Sequence, residues 1–196
     1  MKRDIPSNSA YRRALHDFLT ARGEPLALAR EAGRAAQPGS PEMVDARLLE
    51  ASLLLCSRDK RDFEAAGWVY AELASLEKNS MQRQHAAAIR IAVDGDYAGA
   101  CRAYDAILQD NPADELALGV AHVFDYLLGN PEALRARATR ALAAWQPDSP
   151  TYHAALSLYA FALQECGDYT AAEEVARRAA RHPAAHARRR RGHFFR

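Results

Sequence analysis

The sequence predicts an all-α protein that is built from about five helix hairpins stacked in chain order. Of its 196 residues, 43 are alanine, whereas isoleucine and valine together number ten, and this composition favours helices over strands. Turn-forming motifs recur at similar intervals along the chain. Helix-breaking clusters such as "QPGSP", "DNPAD" and "QPDSP" fall between the predicted hairpins.

The tripeptide Gly-Asp-Tyr occurs twice, at residues 95–97 and 167–169. Glycine can adopt the left-handed conformation that ends a helix, and the aspartate after it can cap the next helix by accepting from free backbone N–H groups. The aromatic ring can then pack in the elbow between the two helices. We therefore interpret each copy as the turn inside one hairpin.

Weaker copies of this turn occur at Pro25, at Asp62-Phe63 and at Gly129-Asn130-Pro131. Successive turns along the chain are separated by 38, 34, 34 and 38 residues. In each hairpin the first helix follows a break and the second begins at the turn. In order, the predicted pairs are 9–22 with 25–36, 41–57 with 60–77, 80–94 with 97–110, 114–128 with 131–145, and 151–166 with 169–182.

A 34-residue helix-turn-helix period with small, aromatic and proline residues at matched offsets is typical of tetratricopeptide repeats. We therefore predict an α-α superhelix, a TPR-like solenoid, whose inner face is formed by the first helix of every pair. The alternative is an ordinary up-and-down bundle whose turns resemble one another by chance. Two independent 34-residue intervals favour the repeat.

The charge of the chain is unevenly distributed. Its formal net charge is +1, but residues 175–196 contain eight arginines and no acidic residue, so the remainder has a net charge of −7. We predict a helical repeat domain over residues 1–183 and a basic, disordered tail over residues 184–196. The run "RRRRGHFFR" could neutralise phosphates and stack on bases, but arginine runs are usually only solvated, so no nucleic-acid partner is expected.

Cysteine usage and hydropathy indicate a reducing, aqueous compartment. Cys56, Cys101 and Cys166 are odd in number and lack the spacing of a metal site or a disulfide framework. The first fifteen residues contain no apolar run after their charges, and the longest apolar stretch, "SLLLC", is far shorter than a membrane span. We expect a cytoplasmic protein with no membrane association.

Residues 110–180 carry a more specific pattern. A histidine precedes an aromatic residue and "LG", a tryptophan and a proline precede a tyrosine, and "AFALQECGDYTAAE" follows. This run resembles the tetratricopeptide repeat protein 38 family, in which a similar segment reads "AFxLEExGxYxxAE". The resemblance implies helical repeats but no chemistry that can be transferred. The matching residues are His122, Phe124, Gly129, Trp145, Pro150, Tyr152, Ala160, Phe161, Leu163, Glu165, Gly167, Tyr169, Ala172 and Glu173.

The chain departs from that family after the last predicted helix. Members of the family continue with a segment of the type "NPxDxWAxHxxxH", whereas this chain reads "HPAAHARRRRGHFFR". We expect a shortened member, with the origin of the tail, native or frameshifted, left open. Without a following helix, the last pair would leave Leu156, Tyr159 and Leu163 uncovered, which predicts self-association through this end.

Residues that could carry chemistry are few. His122 and Asp125 lie three positions apart on one helix, and Glu165 from the next pair could join them in acid/base or metal work. A buried structural histidine is the alternative interpretation of His122. No catalytic motif of a known hydrolase, phosphate-binding loop or metalloprotease is present, so no catalytic residue, metal or cofactor is predicted.

The predicted inner groove is therefore the candidate functional surface. Its C-terminal half is aromatic and apolar with a polar edge, which suits an extended or helical peptide. Packing of Tyr126 and Phe161 against adjacent pairs is the alternative explanation of the same residues. The groove residues predicted to bind are Gln82, His85, Ile89, Val123, Tyr126, Leu127, Phe161, Gln164 and Glu165.

From these observations we predict a non-catalytic helical-repeat protein that acts as a protein-protein interaction module for a protein or peptide partner. The alternative is a truncated fragment of an enzyme-like or metal-binding member of the family, with His122, Asp125 and Glu165 as an incomplete site.

Overall fold

The computed structural model describes residues 9–181, and this part of the chain consists of α-helices without strands. The all-α class is therefore confirmed, and the ends of the predicted helices agree with the structure to within three residues. The predicted boundary at residue 183 and the tail at 184–196 lie outside the described residues. The helices are α1 Ala10–Leu19, α2 Pro25–Ala35, α3 Pro41–Cys56, α4 Lys60–Ala74, α5 Ser80–Val93, α6 Tyr97–Asp110, α7 Glu115–Leu127, α8 Pro131–Ala144, α9 Tyr152–Glu165 and α10 Tyr169–Arg181.

The two Gly-Asp-Tyr turns have the predicted backbone. Gly95 and Gly167 adopt φ values of 87° and 79°, in the left-handed region that glycine occupies without strain. Asp96 caps α6 by accepting a hydrogen bond of 2.7 Å from the backbone N–H of Gly99. Asp168 accepts the corresponding bond at the start of α10. The local signals that end one helix and start the next thus have a direct structural basis.

The aromatic residues of the two turns differ. The ring of Tyr97 packs against that of Phe124, with ring centroids 4.7 Å apart, as expected for an anchor in the elbow. Tyr169 is 70% exposed. The predicted anchoring role is therefore wrong for Tyr169, whose ring is available at the surface.

The hairpins stack in chain order. The second helix of each pair packs against the first helix of the next pair, and α3 also contacts α5 and α7. The largest side chains of the resulting core, among them Leu49, Tyr104 and Phe124, are fully buried.

Helix α1 contacts more of the molecule than its position in the chain suggests. Besides α2 and α3, it packs against α7 and α9 of the fourth and fifth pairs. In an open solenoid each repeat contacts only its neighbours. The first pair therefore meets the fourth and fifth across the face formed by the first helices of the pairs.

A glycine allows this approach. A Cβ atom on Gly119 of α7 would lie 2.7 Å from the ring of Phe18 and 2.9 Å from a methyl group of Leu19. Such distances are shorter than carbon atoms tolerate. The missing side chain of Gly119 is what lets α1 rest on α7.

Polar contacts hold the N-terminal turn of α1 in the same place. Both terminal nitrogens of Arg12 donate to the carboxylate of Glu115, at 3.0 and 3.3 Å, and Thr151 donates to that carboxylate at 2.7 Å. The pKa of Tyr11 is raised mainly by burial and, to a smaller extent, by the negative charges of Asp45, Asp114 and Glu115. Residues of α1, α7 and the segment before α9 thus meet at one partly buried carboxylate.

The last pair is better covered than the sequence suggested. Leu156 and Leu163 of α9 are buried against Ala172, Val175 and Ala179 of α10. The expectation that these leucines form an uncovered apolar end is therefore wrong, because α10 itself covers them. The half-buried Tyr159 is the remaining member of that predicted patch.

No helix within residues 9–181 has both the length and the apolar character that a bilayer crossing requires.

The contact at Gly119 gives a testable prediction. Replacing a glycine inside a helix by alanine usually raises the free energy of unfolding of the protein, by up to about 1 kcal/mol. We expect Gly119→Ala instead to lower the free energy of unfolding by about 1–2 kcal/mol, because the added methyl group forces α1 away from α7. Urea unfolding followed by circular dichroism measures this change.

The matched control is Gly67→Ala, on the interior of α4. There an added Cβ atom would make an ordinary contact of 3.8 Å with Val93, so this variant should be more stable than the unmodified protein. Equal stabilisation by both substitutions would show that α1 does not rest closely on α7.

Candidate functional site

The N-terminal half of the predicted groove is filled. Gln82, His85 and Ile89 are all at most 5% exposed. The amide nitrogen of Gln82 donates to the backbone carbonyl of Pro41 and to the carboxylate of Asp45. These three residues therefore belong to the interior rather than to an open surface, a placement that depends on long-range packing.

His85 is part of the polar interior beneath α1. Its Nε2 atom lies 3.2 Å from the carboxylate of Asp114. Burial alone would raise the pKa of Asp114, but the hydrogen bond and the charge of His85, with further hydrogen bonds, lower it. The pair joins α5 to the residue that caps α7, which is a structural role.

The C-terminal half of the predicted groove is partly open. Tyr126 is 44% exposed and meets the ring of Phe161 edge to face, with centroids 5.4 Å apart. Val123, Leu127 and Phe161 are half-buried, whereas Gln164 and Glu165 are exposed. The ring pair fits the prediction that Tyr126 and Phe161 lie between the fourth and fifth pairs, and both retain accessible surface.

Two of these residues border a surface groove of about 500 Å³ between α9, α10 and the turn after α1. We call it the α9/α10 groove. The floor is rich in alanine, and exposed aromatic and charged side chains stand at its edges. Its lining residues are Thr20, Arg22, His153, Ser157, Ala160, Phe161, Gln164, Tyr169, Ala172, Glu173, Ala176, Ala179 and Ala180.

Sequence reasoning found only part of this groove. Phe161 and Gln164 were predicted, because they lie on the first helix of the fifth pair. Tyr169 was misassigned to the elbow. Arg22 and Thr20 carried no signal that could have placed them here, since they reach α9 only through the return of α1.

Of the predicted incomplete catalytic or metal site, two residues, His122 and Asp125, are buried and interact with Arg137, whereas the third is exposed. His122 is buried, with its ring 5.5 Å from that of Phe161, while Glu165 is exposed at the end of α9. Asp125 forms an ion pair with Arg137 of α8. Within residues 9–181 no group of three or more histidine, cysteine, aspartate and glutamate side chains is arranged to hold a metal ion.

Arg137 is the residue that sequence reasoning missed beside Asp125. Its side chain is 4% exposed, and besides Asp125 it donates two hydrogen bonds of 3.0 Å to Asp105 of α6 and one to the carbonyl of Ala121. A buried guanidinium requires such partners because removing it from water is costly. Arg137 therefore joins α6, α7 and α8.

No protein-family model matches the chain, and no solved structure gives a significant match to it. Membership of the tetratricopeptide repeat protein 38 family therefore stays a prediction from the motifs in residues 110–180.

The Arg137 ion pairs predict a large loss of stability when one partner is removed. Arg137→Ala should lower the free energy of unfolding by about 3–5 kcal/mol, because Asp125 would remain buried without its cation. The change is measured by urea unfolding. Arg135→Ala, at an exposed position of the same helix, is the matched control and should change stability by less than about 0.5 kcal/mol.

The double variant Asp125→Leu/Arg137→Leu should recover most of the loss, because it removes both charges rather than one. If Arg137→Ala lowers the free energy of unfolding no more than Arg135→Ala does, Arg137 does not hold α8 through buried ion pairs.

His122 predicts how stability changes with pH. Burial, and secondly the positive charge of Arg137, lower the pKa of His122 from its ordinary value of 6.5 to about 4. Between these values the unfolded chain binds a proton that the folded protein does not bind. Stability is therefore lost as the pH falls through this window, by about 2 kcal/mol for His122 between pH 7 and pH 5.

The measurement is the free energy of unfolding at pH 7 and pH 5 for the unmodified protein and for His122→Gln. Since every other titrating group is the same in both proteins, the variant should lose about 2 kcal/mol less over this interval. Identical losses would show that His122 is not held in its neutral form.

Proposed function

We propose that this chain is a non-catalytic helical-repeat protein, with its five hairpins in a TPR-like arrangement, that binds a protein or peptide partner. The binding surface is the α9/α10 groove together with the exposed ring of Tyr126. The observation that carries the proposal is the groove itself. Its volume of about 500 Å³ lies within the range of protein binding pockets, and its apolar floor is flanked by a few charged and polar groups.

The chemistry of the described residues supports binding rather than catalysis. His122 is neutral and faces an aromatic ring, and Asp125 is neutralised by Arg137, so neither group is free to act on a substrate. The lining of the groove contains one acidic side chain, Glu173, and the hydroxyl of Ser157 donates to the backbone carbonyl of His153 rather than to an imidazole nitrogen. Shape and apolar contact are the properties that the groove offers to a partner.

We place this activity in the cytoplasm. The three cysteines are not paired with one another, and burial raises the pKa of the Cys56 and Cys101 thiols. Buried, protonated thiols act as small apolar side chains, which suits a reducing compartment.

The test is differential capture of partners. Ala176 is exposed on α10 and lines the groove, so Ala176→Trp should fill the groove without disturbing the core. Ala71→Trp, at an exposed position of α4, is the matched control. We expect cellular proteins that are retained by the unmodified protein and by Ala71→Trp to be lost from Ala176→Trp, at equal thermal stability of the three proteins.

A set of retained proteins that does not differ between the two tryptophan variants would refute the groove as the binding surface.

A further inference from the structure

The α9/α10 groove restricts the kind of segment that can occupy it, and this inference rests on the proposed binding function. An extended peptide must bond its backbone N–H and C=O groups to the protein when it is buried, whereas an α-helix satisfies its own. The hydrogen-bonding groups that line the groove therefore distinguish the two ligands.

The serine and threonine hydroxyl groups of the groove already donate to backbone carbonyls. Ser157 donates to the backbone carbonyl of His153 at 2.9 Å, and Thr20 donates to that of His16 at 2.8 Å. The floor between them consists of alanine side chains, and the described residues include no strand whose edge an extended peptide could join. Where an extended peptide covers this alanine floor, its buried backbone groups meet no hydrogen-bonding partner, at a cost of about 1–3 kcal/mol for each group. The polar side chains of the groove, such as Gln164 and Arg22, lie at its exposed edges.

The dimensions of the groove suit a helix. Its lining on α10 runs from Tyr169 to Ala180, a distance of about 16 Å at 1.5 Å per residue, or three helical turns. Small side chains at Ala172 and Ala176 allow the axis of another helix to approach closely, because the distance between packed helices is set by the side chains at their contact.

The groove also adjoins the surface of α9 on which α1 of the same chain packs. The ring of His16 on α1 lies 5.4 Å from that of His153 on α9, and His153 lines the groove. Thr20 and Arg22, which follow directly after α1, form its adjoining edge. A second helix placed in the groove would extend the helix packing that α1 begins.

The charged side chains at the edges of the groove indicate which sign of charge the ligand carries. Glu173 is neutralised by Arg177, whose guanidinium lies 2.6 Å from its carboxylate. Arg22 is exposed, and no carboxylate of the described residues lies within ion-pair distance of it. The cation that is left to pair with a ligand is therefore Arg22.

We propose that the α9/α10 groove binds an amphipathic α-helix of a partner protein, about three turns long, whose small apolar stripe faces the alanine floor and whose carboxylate pairs with Arg22. Phe161 and Tyr169 contact its apolar side chains at the end of the groove where α9 meets α10.

Two displayed peptide libraries of 14 residues test this proposal. The first repeats apolar residues at positions i, i+3, i+4 and i+7 with a fixed glutamate beside the stripe. The second is identical except that two central residues are replaced by prolines, which prevent a helix. We expect binders from the first library alone, with helical circular dichroism in the complex.

Binding of such a peptide should weaken at least tenfold in Ala176→Trp and remain unchanged in Ala71→Trp. Arg22→Glu should weaken it about threefold, as expected for an exposed ion pair, and replacing the glutamate of the peptide by lysine should restore the affinity of that variant.

Binders from the proline library alone would overturn the helical ligand and leave the proposed function standing. Failure of both libraries, together with capture that Ala176→Trp does not alter, would overturn both. A dimer in light scattering that Ala176→Trp abolishes would identify a second copy of the chain as the occupant and contradict a separate partner.

Discussion

The close packing of α1 on α7 determines which surfaces of this protein are open. Gly119 gives Phe18 and Leu19 room to approach, and the bond from Arg12 to Glu115 holds the start of α1 beside α7. Because α1 lies against the first helices of the fourth and fifth pairs, part of the surface that a regular solenoid would leave exposed becomes interior. An open groove lies instead at the last pair, where the chain after α1 meets α9 and α10.

Buried, paired charges join the helices in the second half of the molecule. Arg137 of α8 forms ion pairs with Asp105 of α6 and with Asp125 of α7. Its charge also disfavours a second cation nearby, which contributes to the low pKa of His122. Asp125 thus compensates a buried charge, and His122 avoids adding a second one.

Binding of a helix in the groove would rely on the close helix packing that also holds the protein's own helices together. Alanine accounts for much of the α9/α10 groove floor, and helices with small side chains pack closely without needing shape-specific pockets. A backbone that satisfies its own hydrogen bonds can cover such a floor at low cost. The exposed Tyr169, whose counterpart Tyr97 is packed on Phe124, adds apolar area at one end.

The sequence by itself determined the all-α class and the helices of residues 9–181, because Gly95, Asp96 and their equivalents act through backbone conformation and hydrogen bonds within a few residues. It also identified Phe161 and Gln164, which lie on a predictable helix face. Only the tertiary structure decided that Gln82, His85 and Ile89 are interior and that Arg22 borders the groove. These placements depend on contacts such as Gln82 with Pro41 and Arg12 with Glu115, which join residues 41 and 103 positions apart and leave no periodic trace in the sequence.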